Sequence, residues 1–129
     1  MPTRTPKNGG TAFLRSPCPI ATTLDIVGDR WTLVVVRDLL NGKRRYNDLL
    51  ESPERIPTNI LAERLKRLVT AGLLERQPYQ SRPVRYEYVL TEMGESLLPV
   101  LQEMCRWANR FIGDTWVPPD SFMRRRIRN

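Results

Sequence analysis

At Gly72 the hydrophobic period of this chain changes. Before it, in IPTNILAERLKRLVTAGLL (residues 56–74), Leu61, Leu65 and Leu68 recur at the spacing of one helix face, while Asn59, Glu63, Lys66 and Thr70 fall on the other side. Beyond it, Val84, Tyr86, Tyr88 and Leu90 alternate with Arg85, Glu87 and Val89, the period of a half-buried strand. The segments LLERQPY and VRYEYVL, joined by QSRP, therefore predict two strands and a turn directly behind a helix that starts at Pro57 or Thr58 and stops at Gly72. A helix with so polar an outer face is either solvated or presents that face to a partner.

Three helices are expected upstream. CPIATTLDIVGDRW places Pro19 in a first turn and spaces Ile20, Leu24 and Val27 for a short helix ending at Gly28. In DRWTLVVVRDLLNGKRR the β-branched run alone would suit a strand. Asp29 as N-cap, the Arg37-Asp38 pair and the Asn41-Gly42 terminator favour a buried helix instead. YNDLLESP then gives a short third helix, with Tyr46, Leu49 and Leu50 inward and Pro53 closing it. Its separation from the fourth helix, about four residues, is that of a helix-turn-helix.

Downstream, TEMGESLLPVLQEMCRWANRFI has Thr91 as N-cap and Glu92 and Glu95 in the first turn, where the helix dipole favours carboxylates. Its apolar positions are wider than one stripe, which predicts two buried faces, the second covered by a partner subunit. Pro99 should kink this helix or mark a break.

The chain has 129 residues, enough for one domain with tails. Residues 1–16 are expected to be a flexible basic arm (Arg4, Lys7, Arg15) and 17–112 the folded domain. Residues 113–129 are expected to be a basic tail from which Trp116, Phe122 and Met123 are the side chains able to dock. The net charge of +7 points to phosphate polymers or anionic surfaces, but much of the surplus lies in the two ends, so the basic residues inside the body must decide. No apolar run approaches the roughly 20 residues of a membrane span, and a cytoplasmic protein is expected. With no histidine, two cysteines and no glycine-rich phosphate loop, neither an enzyme nor a bound metal or cofactor is expected.

The order of elements is that of a winged helix-turn-helix: mainly α with a small β-hairpin wing. In that layout the fourth helix enters a major groove and the hairpin tip reaches the neighbouring backbone. Thr58 and Asn59 then lie in a first turn with free backbone N–H groups, and Asn59 is shaped to pair with an adenine edge. Glu63 either accepts from cytosine or pairs with Arg67 four residues on. Lys66 and Arg67, Lys43, Arg44 and Arg45, and Arg82 and Arg85 supply positive charge on three elements of one docking geometry. Each has a plainer reading: a solvated face, neutralisation of a helix C-terminus by residues 43–45, or a lone turn arginine. A protein-interaction module remains the alternative, and it would show an apolar patch on that face.

The motifs CPI at Cys18, Gly28 to Leu40 with Trp31 and Arg37, RYNDL, IPTNILAERLKRLVTAGLLER, RYEYVLTEMG and the Leu-rich last helix, in this order, resemble the HxlR-type winged helix-turn-helix transcriptional regulators over about residues 16 to 112. The resemblance implies a homodimer built from the first and last helices that represses or activates a nearby operon through a pseudo-palindromic operator in double-stranded DNA. Leu24, Leu101, Trp107 and Phe111 are the interface candidates, with closure of the subunit core as the alternative for each. It also implies that Cys18 stands where some members sense electrophiles or oxidants. A thiol near a helix N-terminus has a stabilised thiolate; the alternative is a small buried hydrophobe. Cys105 is read as core. A small-molecule effector in place of thiol sensing is compatible with the same fold, although Trp31, Tyr46 and Trp107 at helical spacing read first as core.

Overall fold

The computed structural model describes residues 15–127, so all but the last two residues of the arm expected over 1–16 lie outside it. Four helices come first: α1 (Pro19–Val27), α2 (Thr32–Leu40), α3 (Tyr46–Leu49) and α4 (Thr58–Thr70). An antiparallel hairpin of β1 (Leu74–Ser81) and β2 (Val84–Leu90) follows, then α5 (Glu92–Glu95), α6 (Leu98–Phe111) and α7 (Asp120–Met123). The chain is thus a mainly helical winged helix-turn-helix.

Residues 32–40, with their β-branched run, are helical because both ends are held. The Asp29 carboxylate accepts from the backbone N–H of Trp31 at 3.0 Å and of Thr32 at 3.2 Å, and from the Thr32 hydroxyl. It thus caps the helix from two residues before the formal N-cap, Trp31. Val35, Val36, Leu39 and Leu40 then enter the core, together with Leu49 of α3 and Leu61, Leu65 and Leu68 of α4. These three α4 leucines are at most 1% exposed, as their spacing predicts.

Gly72 ends α4 at a φ of 87°, a left-handed conformation that favours glycine. The next two residues, Leu73 and Leu74, are buried and anchor the root of the hairpin. Pairing runs from Leu74 opposite Leu90 to Ser81 opposite Val84, with an irregularity between Pro78 and Gln80. Beyond the root the wing leaves the core, and Val84 and Tyr86, which share the alternation of Tyr88 and Leu90, stand exposed.

The helix expected from Thr91 onward is broken rather than kinked: α5 ends at Glu95, and Pro99 sits in the first turn of α6, where its missing N–H costs nothing. Thr91 joins these parts. Its hydroxyl accepts from the Gly94 N–H at 3.2 Å and donates to the Gly72 carbonyl at 2.6 Å, and its N–H donates to the Leu73 carbonyl at 3.0 Å.

The segment after residue 112, set apart as a tail on composition, contributes to the core. Phe122 of α7 is buried, and the side-chain amide of Gln102, itself buried in α6, donates to the carbonyls of Phe122 at 2.9 Å and Arg125 at 2.8 Å. Docking of Phe122 is the outcome its sequence position leaves open. Trp116 stays exposed and Met123 is half-buried.

Gly94 of α5 packs closely against the root of the hairpin. A Cβ there would lie 2.2 Å from the Leu73 carbonyl oxygen and 2.8 Å from Leu90 Cδ2. Gly94→Ala is expected to destabilise the protein by about 1–3 kcal/mol, the cost of overpacking, as a lowered urea midpoint; an unchanged midpoint would show that α5 does not seat on the hairpin this closely.

Candidate nucleic-acid interface

Two clusters fix α4 relative to α2. In the first, Arg37 on α2 reaches the turn that precedes α4. Its Nη1 and Nη2 contact Glu54 Oε2 and Oε1 at 2.7 and 2.8 Å, and Nη2 also donates to Ser52 Oγ at 3.0 Å and Asp38 Oδ1 at 2.9 Å. A two-pronged pair of this kind sets orientation as well as distance. The bond from Arg37 holds the Glu54 carboxyl down at about 2 and outweighs its partial burial. In the second cluster, Arg64 on α4 donates through Nε to Asp29 Oδ2 at 2.8 Å, so the residue that caps α2 also holds α4. Burial pushes the Asp29 carboxyl up, but the bonds from Arg64, Thr32 and the Trp31 N–H prevail and hold it well below the usual carboxylate range.

With its inner face buried, α4 turns Thr58, Asn59, Glu63, Lys66 and Arg67 outward, all exposed. Thr58 and Asn59 open the helix behind Pro57, and the Thr58 carbonyl accepts the Tyr46 hydroxyl at 2.8 Å, which ties α3 to this first turn. Glu63 takes the intramolecular alternative: it pairs with Arg67 at 2.9 Å and with Arg64. Arg67 is further drawn toward Asp29, at 4.0 Å. Lys66 makes no ion pair among the described residues.

The run at residues 43–45 is stitched to the wing. The Arg44 carbonyl accepts the Tyr88 N–H at 2.7 Å, so this segment lies along β2. The Arg44 guanidinium approaches Glu87 at 4.0 Å, and that of Arg45 stacks 3.7 Å above the Tyr79 ring. Lys43 is half-buried and its N–H donates to the Asp38 carbonyl at the end of α2, so this residue helps close that helix. At the tip, Arg82 and Arg85 are exposed and make no ion pair among the described residues. The wing also carries apolar surface that was not expected: Val84 is exposed, and the partly exposed rings of Tyr79 and Tyr86 are roofed by Arg45 and Arg76, the latter at 3.9 Å.

Three arginines of this region escape a sequence-only view. Arg64 falls between Leu61 and Leu65, close enough to the inner stripe to be largely covered, which was the available signal. Arg76 is placed by strand pairing opposite Tyr88. Arg55, exposed in the turn before α4 at a φ of 59°, lies in SPERIPTN beside the first turn of that helix.

Leu24 of α1 and Trp107 and Phe111 of α6 are 56%, 62% and 63% exposed, with the two rings 6.0 Å apart. Leu101 corrects the expectation of an interface residue. At 7% exposure it is closed into the subunit core with Leu98, because it occupies the inner face of α6. Cys18 occupies the N-cap position of α1 and is exposed. Arg15, three residues before it in the arm, pairs with Asp25 at 3.0 Å; Lys7 lies outside the described residues. Cys105 is half-buried on α6, and burial pushes its thiol up.

A family model described as HxlR-like helix-turn-helix matches residues 26–115. The HTH-type transcriptional regulator YdeP of Bacillus subtilis is 35% identical over 94 residues, 73% of each chain. The HTH-type transcriptional regulator YodB of the same organism is 38% identical over 101 residues, 76% of this chain and 90% of YodB. The solved structure of reduced YodB aligns with a TM-score of 0.64 at 35% identity, covering 77% of this chain and 98% of that one. Diamide-treated YodB aligns with a TM-score of 0.60 at 37% identity, covering 73% and 94%. The redox regulator HypR in its reduced form gives 0.67 at 30% identity, covering 77% and 100%.

The Asp29 cluster makes a pH-dependent claim. A carboxyl whose folded value is depressed stabilises the fold above its ordinary value, near 3.8, and loses that contribution as the pH falls below it. Asp29→Asn should therefore cost about 2 kcal/mol at pH 7, and the gap to the unsubstituted protein should narrow in urea titrations below about pH 4; a gap constant down to pH 2.5 would remove the ionised Asp29 from the account.

Proposed function

This chain belongs to the HxlR-like helix-turn-helix family of transcriptional regulators, and from that premise we propose that it acts as a homodimer on a pseudo-palindromic operator in double-stranded DNA. The observation that carries the proposal is the division of charge around α4. Arg64, Arg67 and Arg44 face internal carboxylates, whereas Lys66 on α4 and Arg82 and Arg85 on the wing point outward with none among the described residues. Unneutralised cations on a helix and on the hairpin beside it suit two stretches of phosphate backbone.

In this account the first turn of α4 enters the major groove. Its backbone N–H groups and Thr58 meet phosphate, and Asn59 reads a base edge. Arg82 and Arg85 hold the adjacent backbone, and Lys43 and Arg45 extend the positive surface between helix and wing. Glu63, already shared by two arginines, shapes that surface rather than reading cytosine. Leu24, Trp107 and Phe111 of two copies cover one another, and two-fold symmetry then sets the two α4 helices about one DNA turn, ~34 Å, apart. An interaction module would need an open apolar patch on this face. The guanidinium groups over Tyr79 and Tyr86 leave Val84 as the main apolar side chain there, which favours DNA.

Cys18 is the proposed point of redox or electrophile response. Its support is exposure, its position at the start of α1, and membership with YodB, which has a diamide-treated form, and HypR, a redox regulator.

Arg82→Ala is expected to weaken binding to all sequences and to reduce the slope of log affinity against log salt by about one unit; an unaltered slope would take the wing off the DNA. Asn59→Ala should cost about 1–3 kcal/mol at a single base step, and a uniform loss across operators would reassign Asn59 to phosphate. Diamide treatment should alter operator affinity and lose that effect in Cys18→Ser; unchanged affinity in the unsubstituted protein would sink the thiol switch.

A further inference from the structure

A cleft of about 800 Å³ opens between α2, α6 and residues 115–125. Its size lies within the range of small-molecule sites, and its walls are mainly apolar: Leu33 and Val34 from α2, Leu101, Cys105 and Ala108 from α6, and Phe122 from α7. The wall that closes it lies mostly beyond residues 26–115, the part of the chain the family model matches.

This wall is fixed in place. Asn109 donates through Nδ2 to Thr115 Oγ1 at 2.9 Å and to the Trp116 carbonyl at 3.1 Å, and Gln102 holds the carbonyls of Phe122 and Arg125. A site formed before its ligand arrives avoids the ordering cost of binding.

Charge narrows the ligand. Arg37 and Arg125 line the cleft, and no carboxylate among the described residues does. Arg37 is already bound to Glu54, Asp38 and Ser52. Arg125 donates through Nη1 to the Leu40 carbonyl at 2.5 Å, next to Asn41, and makes no ion pair among the described residues. One carbonyl at a helix C-terminus offsets a guanidinium charge in part only, and the remaining donors of its planar fork match a planar anionic group.

We propose that this cleft binds a small apolar monoanion, an aromatic or alkyl carboxylate or sulfonate. Its hydrocarbon body lies among Leu33, Val34, Leu101 and Ala108, and its head group meets Arg125. The ligand would touch both α2, which the Arg37 and Asp29 clusters tie to α4, and α6, which carries Trp107 and Phe111. The site does not depend on the operator proposal, since binding itself is the test.

The probes are 8-anilinonaphthalene-1-sulfonate and N-phenyl-1-naphthylamine, which share a ring system and differ by the sulfonate. The full chain should bind the anion saturably, one per chain, and about tenfold tighter than the neutral probe. Arg125→Met should abolish that preference and Arg125→Lys should keep most of it. Ala108→Leu, which narrows the cleft, should weaken both probes. In Cys18→Ser protein, the bound anion should slow maleimide labelling of Cys105. Equal affinity for the two probes, anion binding indifferent to Arg125→Met in a variant with an unchanged melting curve, or unprotected Cys105 would each overturn the proposal. Those results would assign the fluorescence to the exposed apolar side of α6 or leave the cleft to a second copy of the chain. Should Ala108→Leu fail to fold, the Arg125 pair and the labelling still decide.

Discussion

Asp29 sits where three segments meet: the loop after α1, the first turn of α2 and the middle of α4. Its Oδ2 accepts the N–H groups of Trp31 and Thr32 and the Nε–H of Arg64, while Oδ1 accepts the Thr32 hydroxyl with Arg67 close behind. A carboxylate this close to a guanidinium and to free helix N–H groups is stabilised as an anion by both, and charge-assisted bonds of this kind are roughly twice as strong as neutral ones. The consequence for α4 is geometric. Its leucines bury it against the core but leave it free to slide or roll, since apolar contact has no direction. The Asp29–Arg64 pair at mid-helix and the Arg37–Glu54 pair in the turn before α4 remove that freedom and set the angle at which Thr58 and Asn59 leave the surface.

The same bonds sort the cations. Each internal carboxylate near α4 consumes guanidinium charge that would otherwise face solvent, and the side chains left over stand at the helix surface and the wing tip. The pattern matters more than the total, because much of the net charge of +7 comes from residues near the two ends of the chain. A surface that spends some arginines on its own architecture and leaves others open can distinguish positioning from binding, which a uniformly basic face does not. On α6, the rings of Trp107 and Phe111 lie together on a helix whose inner face is already full.

The elements up to α6 were legible because each is written locally, whereas α7 lies in the segment expected to be a tail. The inner stripe of α4, the period change at Gly72 and the Asp29 cap need at most a few consecutive residues to be seen. What could not be read were choices between two faces and contacts between distant segments. Leu101 and Trp107 are both apolar and six positions apart on one helix; periodicity offers two faces and does not say which one the subunit keeps. Arg64, which the sequence places beside the inner stripe of α4, finds its partner in Asp29, 35 positions earlier, a contact no local pattern shows. The last segment was judged on its prolines and arginines, whereas its placement depends on Gln102, a polar residue in mid-helix whose two acceptors lie some twenty positions away.

Sequencing the duplexes that the purified chain retains from a random library tests the central claim most directly. A homodimer that inserts α4 into successive major grooves predicts an enriched motif made of two inverted half-sites with centres about 10 base pairs apart. Retained DNA with no enriched motif, or with one half-site lacking an inverted partner, would contradict it.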